Sequence, residues 1–71
     1  MTDIEIQTDT IQLDQFLKLA GAVPSGGMVK ELIAEAAILR NGVVETARRR
    51  KLTHGDVITV DSGDTYRVIR V

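Results

Sequence analysis

The dipeptide Asn41-Gly42 stands between the apolar pairs Ile38-Leu39 and Val43-Val44. Asn-Gly is the strongest two-residue hairpin signal, because both central residues of a type I′ turn need positive φ. A tight hairpin is therefore expected near the middle of the chain, and what lies on either side of it has to be read separately.

The segments on the two sides have different periods. Upstream, Leu13, Phe16, Leu17 and Ala20 fall on one helical stripe, and Gly21 is placed to end that helix in a left-handed cap. This predicts a first helix over about Leu13 to Ala20. Pro24 closes the connection. Ser25 can then cap a second helix whose positions Val29, Leu32, Ile33 and Ala36 repeat the spacing, to about Ala37. Its outer face carries Lys30, Glu31 and Glu35, so the two helices should pair with their stripes on a common core. Earlier still, Ile4 and Ile6 alternate with polar neighbours as a short strand would. Downstream of the turn, Gly55-Asp56 marks a turn, Val57 to Val60 a strand, Asp61 to Asp64 a loop, and Tyr66 to Val71 a final strand. The fold class is α+β in a single domain, residues 1–71.

A chain of 71 residues buries only about 60% of the surface it would expose unfolded. With no cysteine and one histidine, His54, neither disulfides nor a thiolate metal site can reinforce it, and no metal or other cofactor is expected. The longest apolar candidate, Met28 to Leu39, is interrupted by Lys30, Glu31 and Glu35, which argues against a membrane span. The first sixteen residues hold four acids and no base, the opposite of an export signal. The expected location is the cytoplasm.

Catalysis lacks its raw materials. No carboxylate pair, histidine with an orienting partner, or activated nucleophile emerges; His54 reads as an exposed loop residue, and Asp61 and Asp64 as turn formers. No small-molecule substrate is expected either.

What does emerge is charge asymmetry. Net charge is −1, yet Arg48, Arg49, Arg50 and Lys51 stand in a row, and from Ser25 to His54 bases exceed acids by three. Four adjacent cations with no acid among them point to an anionic partner, with Glu45 and Asp56 near enough to neutralise part of the run. Lys30 and Arg40 lie in the same segment. Ser25-Gly26-Gly27 opens a helix, where free N–H groups and the helix dipole suit a phosphate. Arginine predominates, which suits forked phosphate contact. Only Phe16 and Tyr66 are aromatic, so stacking on single strands is disfavoured and structured RNA is the better anion. The alternative is a protein-interaction module whose basic loop docks on an acidic protein surface. DNA reading by a helix-turn-helix fits worse, because the Gly21 to Gly27 connection is long and the second helix begins with Met28 and Val29.

Leu13-Asp14-Gln15-Phe16-Leu17-Lys18, Ser25-Gly26-Gly27-Met28-Val29-Lys30, Ile33-Ala34-Glu35, Asn41-Gly42 and Gly55-Asp56-Val57-Ile58-Thr59-Val60 together resemble the RNA-binding domain first recognised in the fourth ribosomal small-subunit protein, often called the alpha-L motif. The match covers about Gln12 to Val60, with the strand at 65–71 beyond it. Length, Ser-Gly-Gly and the segment Glu45 to Leu52 look most like small bacterial single-domain proteins of the YaaA and YbcJ type. The resemblance implies two helices on a small, bent, largely antiparallel sheet. It also implies a non-catalytic grip on structured RNA, with ribosomal RNA the candidate. Ser25, Gly26, Gly27 and Lys30 would form one part of the face and Arg48, Arg49, Arg50 and Lys51 its basic loop, while Asn41 would hold the hairpin. Three positions depart from the pattern. Ala36 replaces a usual Gly, so the second helix exits differently or extends. Arg40 replaces an apolar strand residue, enlarging the RNA face or pointing to solvent. Gln12 replaces an arginine, removing one phosphate contact.

Overall fold

The computed structural model describes residues 1–61 and 63–71. Helix α1 spans Leu13–Leu19 and α2 spans Gly26–Ala34. Leu13, Phe16 and Leu17 are fully buried on α1, as their spacing predicts, and Val29 is on α2, with Leu32 and Ile33 half-buried beside it. Both helices leave by the same device. Gly21 takes φ 74, its N–H reaches the Lys18 carbonyl at 3.1 Å, and the Ala22 N–H reaches Leu17 at 3.0 Å. Ala36 takes φ 56, its N–H reaches Ile33 at 3.1 Å, and the Ala37 N–H reaches Leu32 at 2.9 Å. These are two Schellman motifs, one with its usual glycine and one with alanine.

The expected end of the second helix at Ala37 is therefore three residues too far. Left-handed backbone costs an L-residue about 1–2 kcal/mol. Ala36 accepts that cost because the next residues must turn back at once: Ile38 is fully buried and opens the strand that follows. The position keeps the exit expected of glycine.

The strands are β1 (Thr2–Ile6), β2 (Ile11–Gln12), β3 (Ile38–Arg40), β4 (Val43–Val44), β5 (Lys51–Leu52), β6 (Val57–Val60) and β7 (Asp64–Arg70). Five of them form a sheet in the order β1-β7-β6-β3-β4, antiparallel throughout except that β1 runs parallel to β7. That parallel pair joins the two ends of the chain, Thr2 opposite Tyr66 through Ile6 opposite Arg70. The final strand starts two residues earlier than its composition suggests. The loop expected at Asp61 to Asp64 includes Ser62, which lies outside the described residues.

At the central turn Asn41 and Gly42 have φ 52 and 85, the two positive values a type I′ turn requires. Asn41 does more than turn. Its Oδ1 accepts the Val57 N–H at 2.9 Å and its Nδ2 donates to Asp56 at 3.0 Å, so it fixes the hairpin to the start of β6.

β2 and β5 form a separate two-stranded antiparallel ribbon, Ile11 opposite Leu52 and Gln12 opposite Lys51. Sequence reading places Lys51 in a loop; here it is in a strand. Leu52 is fully buried against the same core as Phe16, Leu17, Val29, Ile38, Ile58 and Val68. Burying a leucine is worth about 1.5–3 kcal/mol, enough to pin this end of the basic run. Among the described residues no helix is long and apolar enough to cross a membrane.

Candidate functional site

Between β4 and β5 the chain passes through Glu45 and the basic run. Glu45 is the one buried polar or charged residue among those described, with 3% of its surface exposed. Its Oε1 accepts from Arg40 Nε and Arg50 Nε, each at 2.9 Å. Its Oε2 accepts the N–H groups of Thr46 at 2.9 Å and Ala47 at 3.0 Å, and Arg50 Nη2 at 3.3 Å. Burial pushes this carboxyl up, but the hydrogen bonds from Arg50, Ala47, Arg40 and Thr46 outweigh it and bring the pKa down to about 2. The carboxylate is ionised at any ordinary pH.

Two of the candidate cations are thus already engaged. Arg50 is neutralised by the acid that precedes the run, so the four charges are not all uncompensated. Arg40 neither reaches outward alone nor points simply to solvent: it is half-buried and turned to Glu45. Arg49, Lys51 and Lys30 are exposed and Arg48 is half-buried, and none of these four side chains has a hydrogen bond or ion pair among the described residues. Asp56, the other expected neutraliser, instead takes the Asn41 amide and the Thr53 N–H.

The main chain of the run is hydrogen-bonded as well. Arg50 N–H closes a turn on the Ala47 carbonyl at 3.1 Å. The Arg50 carbonyl then accepts the Leu13 N–H at 2.9 Å, and the Arg48 carbonyl accepts the Asp14 N–H at 3.0 Å. Helix α1 has no side-chain cap at Gln12, so these two carbonyls satisfy N–H groups its first turn would otherwise leave unpaired.

The start of α2 lies nearby. Ser25 occupies the N-cap position, but its hydroxyl makes no capping bond; its carbonyl accepts the Met28 N–H at 3.2 Å. A Cβ placed on Gly26 would sit 4.0 Å from Asp14 Oδ2. Asp14 therefore joins the two parts of the candidate face, its N–H on Arg48 and its carboxylate by Gly26. It also sets an acid beside the N–H groups proposed for phosphate.

His54 is exposed, as its turn context suggests, with Nδ1 accepting the Arg70 N–H at 3.0 Å. Among the described residues there is no enclosed pocket and no group of three or more His, Asp or Glu side chains placed to hold a metal ion.

Residues 4–69 match the family model of the S4 domain. The chain belongs to the S4 domain family. It is 41% identical over 66 residues to the probable ribosome maturation protein RlbA of Bacillus subtilis (strain 168), the match covering 93% of each chain.

In this S4 domain, two structural participants are hard to read from sequence. Glu45 has the spacing, five residues from Arg40 and five from Arg50, that two arginines converging on one acid require. Nothing in the string shows that the acid is buried. Asp14 lies in the quoted Leu-Asp motif, but its approach to Gly26 depends on how α1 and α2 pack.

Proposed function

We propose that this chain is a non-catalytic RNA-binding S4 domain of the alpha-L type, with residues 1–71 acting as one unit in the cytoplasm. Its partner is structured RNA, with ribosomal RNA the favoured class. Membership of the S4 family and the likeness to a protein named for ribosome maturation support the RNA and ribosome parts. The observation that carries the grip is the division of the basic cluster. Glu45 engages Arg40 and Arg50, while Arg48, Arg49 and Lys51 have no acid partner among the described residues, and the main chain at Arg48 and Arg50 is hydrogen-bonded to α1.

In this reading Arg48 and Arg49, from the segment between β4 and β5, and Lys51, from the start of β5, meet phosphates. Lys30 and the Ser25-Gly26-Gly27 start of α2 add to them, with Asp14 weakening the backbone contribution there. Phosphate contact positions the protein without reading bases, and the helical shape of the RNA supplies the selection.

Four cations on phosphates give a slope of log K against log salt of about −3 to −4. Fluorescence anisotropy on a labelled ribosomal RNA fragment, across a salt series, measures it. Changing Arg48, Arg49 and Lys51 together to alanine should weaken binding to all structured RNAs alike and remove most of the slope, with the circular dichroism spectrum unchanged. Salt-independent binding, or an unaltered slope in the triple variant, overturns the proposal.

A further inference from the structure

We infer that Glu45 is the positioning residue of the basic segment, and that Arg40 and Arg50 serve it as struts while Arg48, Arg49 and Lys51 serve as phosphate contacts; the phosphate part rests on the proposed function. Charge bookkeeping alone treats Glu45 as a liability, since it cancels cations an RNA could use. The geometry gives it the opposite role. One buried carboxylate collects five donors: two arginine Nε atoms, one Nη2 and two successive backbone N–H groups. Those donors come from β3, from the first residues after β4, and from the far end of the turn that Arg50 closes on Ala47. The segment is gathered round a single anion.

The consequence reaches α1. Arg50 is tied by its side chain to Glu45 and by its carbonyl to the Leu13 N–H, and Arg48, two residues earlier, receives the Asp14 N–H. Loosening Glu45 therefore loosens the placement of Arg48 and Arg49 relative to α1. Arg50 commits the Nε/Nη2 edge of its guanidinium to the carboxylate and keeps only the outer edge for a phosphate, whereas Arg49 has all five donors free of protein partners among the described residues. The cluster has two classes of arginine that the sequence writes identically.

The test uses the full chain and a fluorescently labelled RNA stem-loop at fixed, moderate salt. The variants are Glu45→Gln, Arg50→Lys and Arg49→Lys, each checked by circular dichroism to be folded. Glu45→Gln adds one net positive charge, so a purely electrostatic role predicts tighter binding. Positioning predicts binding weaker by about threefold or more, the effect of losing one ordinary hydrogen bond. Arg50→Lys keeps its charge but cannot fork, and should cost at least about threefold more than Arg49→Lys. Amide hydrogen exchange without RNA provides a separate reading: Thr46, Ala47, Leu13 and Asp14 should exchange faster by about tenfold in Arg50→Lys or Glu45→Gln, as in a segment opened locally.

Unchanged or tighter binding by Glu45→Gln overturns the inference, as do equal losses in the two lysine variants. Should Glu45→Gln not fold, the lysine pair and the exchange of Arg50→Lys decide the matter. If the wild-type chain shows no salt-dependent RNA binding, the proposed function fails. Exchange then judges the anchor by itself, and unchanged rates at those four amides overturn it.

Discussion

Glu45 and Asp3 are both carboxylates gripped by arginine, and their bond lengths are nearly alike. Asp3 receives Arg67 Nε and Nη2, each at 3.0 Å, and Glu45 receives Arg40 and Arg50 Nε at 2.9 Å. Their surroundings separate them. The Glu45 side chain is 2% exposed and also holds two backbone N–H groups; the Asp3 side chain is 50% exposed on the outer strand β1 and holds none. Asp9 pairs with Arg70 in a still wetter setting, 91% exposed. Ion pairs in water are screened and spend side-chain entropy, so these two pairs add little to a junction that the backbone pairing of β1 with β7, Thr2 opposite Tyr66 through Ile6 opposite Arg70, already holds. A buried anion with partners on three segments is different, since it cannot be abandoned without rearranging all of them.

The largest effect that can break this comparison is Glu45→Ala. Removing the acid strands two backbone N–H groups and leaves Arg40 and Arg50 without their counterion, both still able to reach water. Urea denaturation should show a loss of about 3 kcal/mol, the low end for a broken buried pair. A loss no greater than that of an exposed pair would place Glu45 with Asp3.

Acid titration sharpens the same point. The Glu45 pKa falls from its ordinary 4.5 to about 2 in the fold, so the unfolded chain binds this proton more readily. Its contribution is fully present above about pH 5, and is lost as the pH falls from there through about 2. The integrated loss should be on the order of 3 kcal/mol in the wild type and missing in Glu45→Gln. Parallel stability curves for the two proteins over that window would assign the acid sensitivity elsewhere.

The smallest effect is expected at Asp3→Asn. Hydrogen bonding from Arg67 lowers the Asp3 pKa against an opposing effect of burial, but the pair is open to solvent. The denaturation midpoint should stay within measurement error at ordinary salt, and any difference should vanish in 1 M salt as screening closes to about 3 Å. A loss rivalling that of Glu45→Ala would erase the distinction between the two sites.

Much of the fold is legible in the string because its signals are local. The Leu13, Phe16 and Leu17 stripe, the left-handed Gly21, and the Asn41-Gly42 turn each carry their cause within a few residues. The two-residue strands β2 and β5 do not, since two residues display no period, and their pairing brings Gln12 to Lys51 from across the chain. Ala36 misleads for a related reason: alanine favours helix, and only the demand that Ile38 reach the core forces it left-handed. In the candidate site, the types and positions of the basic residues can be read, but their division cannot. Burial of Glu45 is a tertiary fact, and it decides which arginines are engaged.

The basic segment meets α1 through the carbonyl oxygens of Arg48 and Arg50, atoms every amino acid possesses. Residues 48 and 49 can therefore be exchanged for other side chains without uncapping the helix beneath them. Position 50 is bound twice, by backbone and by Glu45, and has no such licence. A lineage could retune what this surface recognises by rewriting two letters, while the scaffold below registers no change.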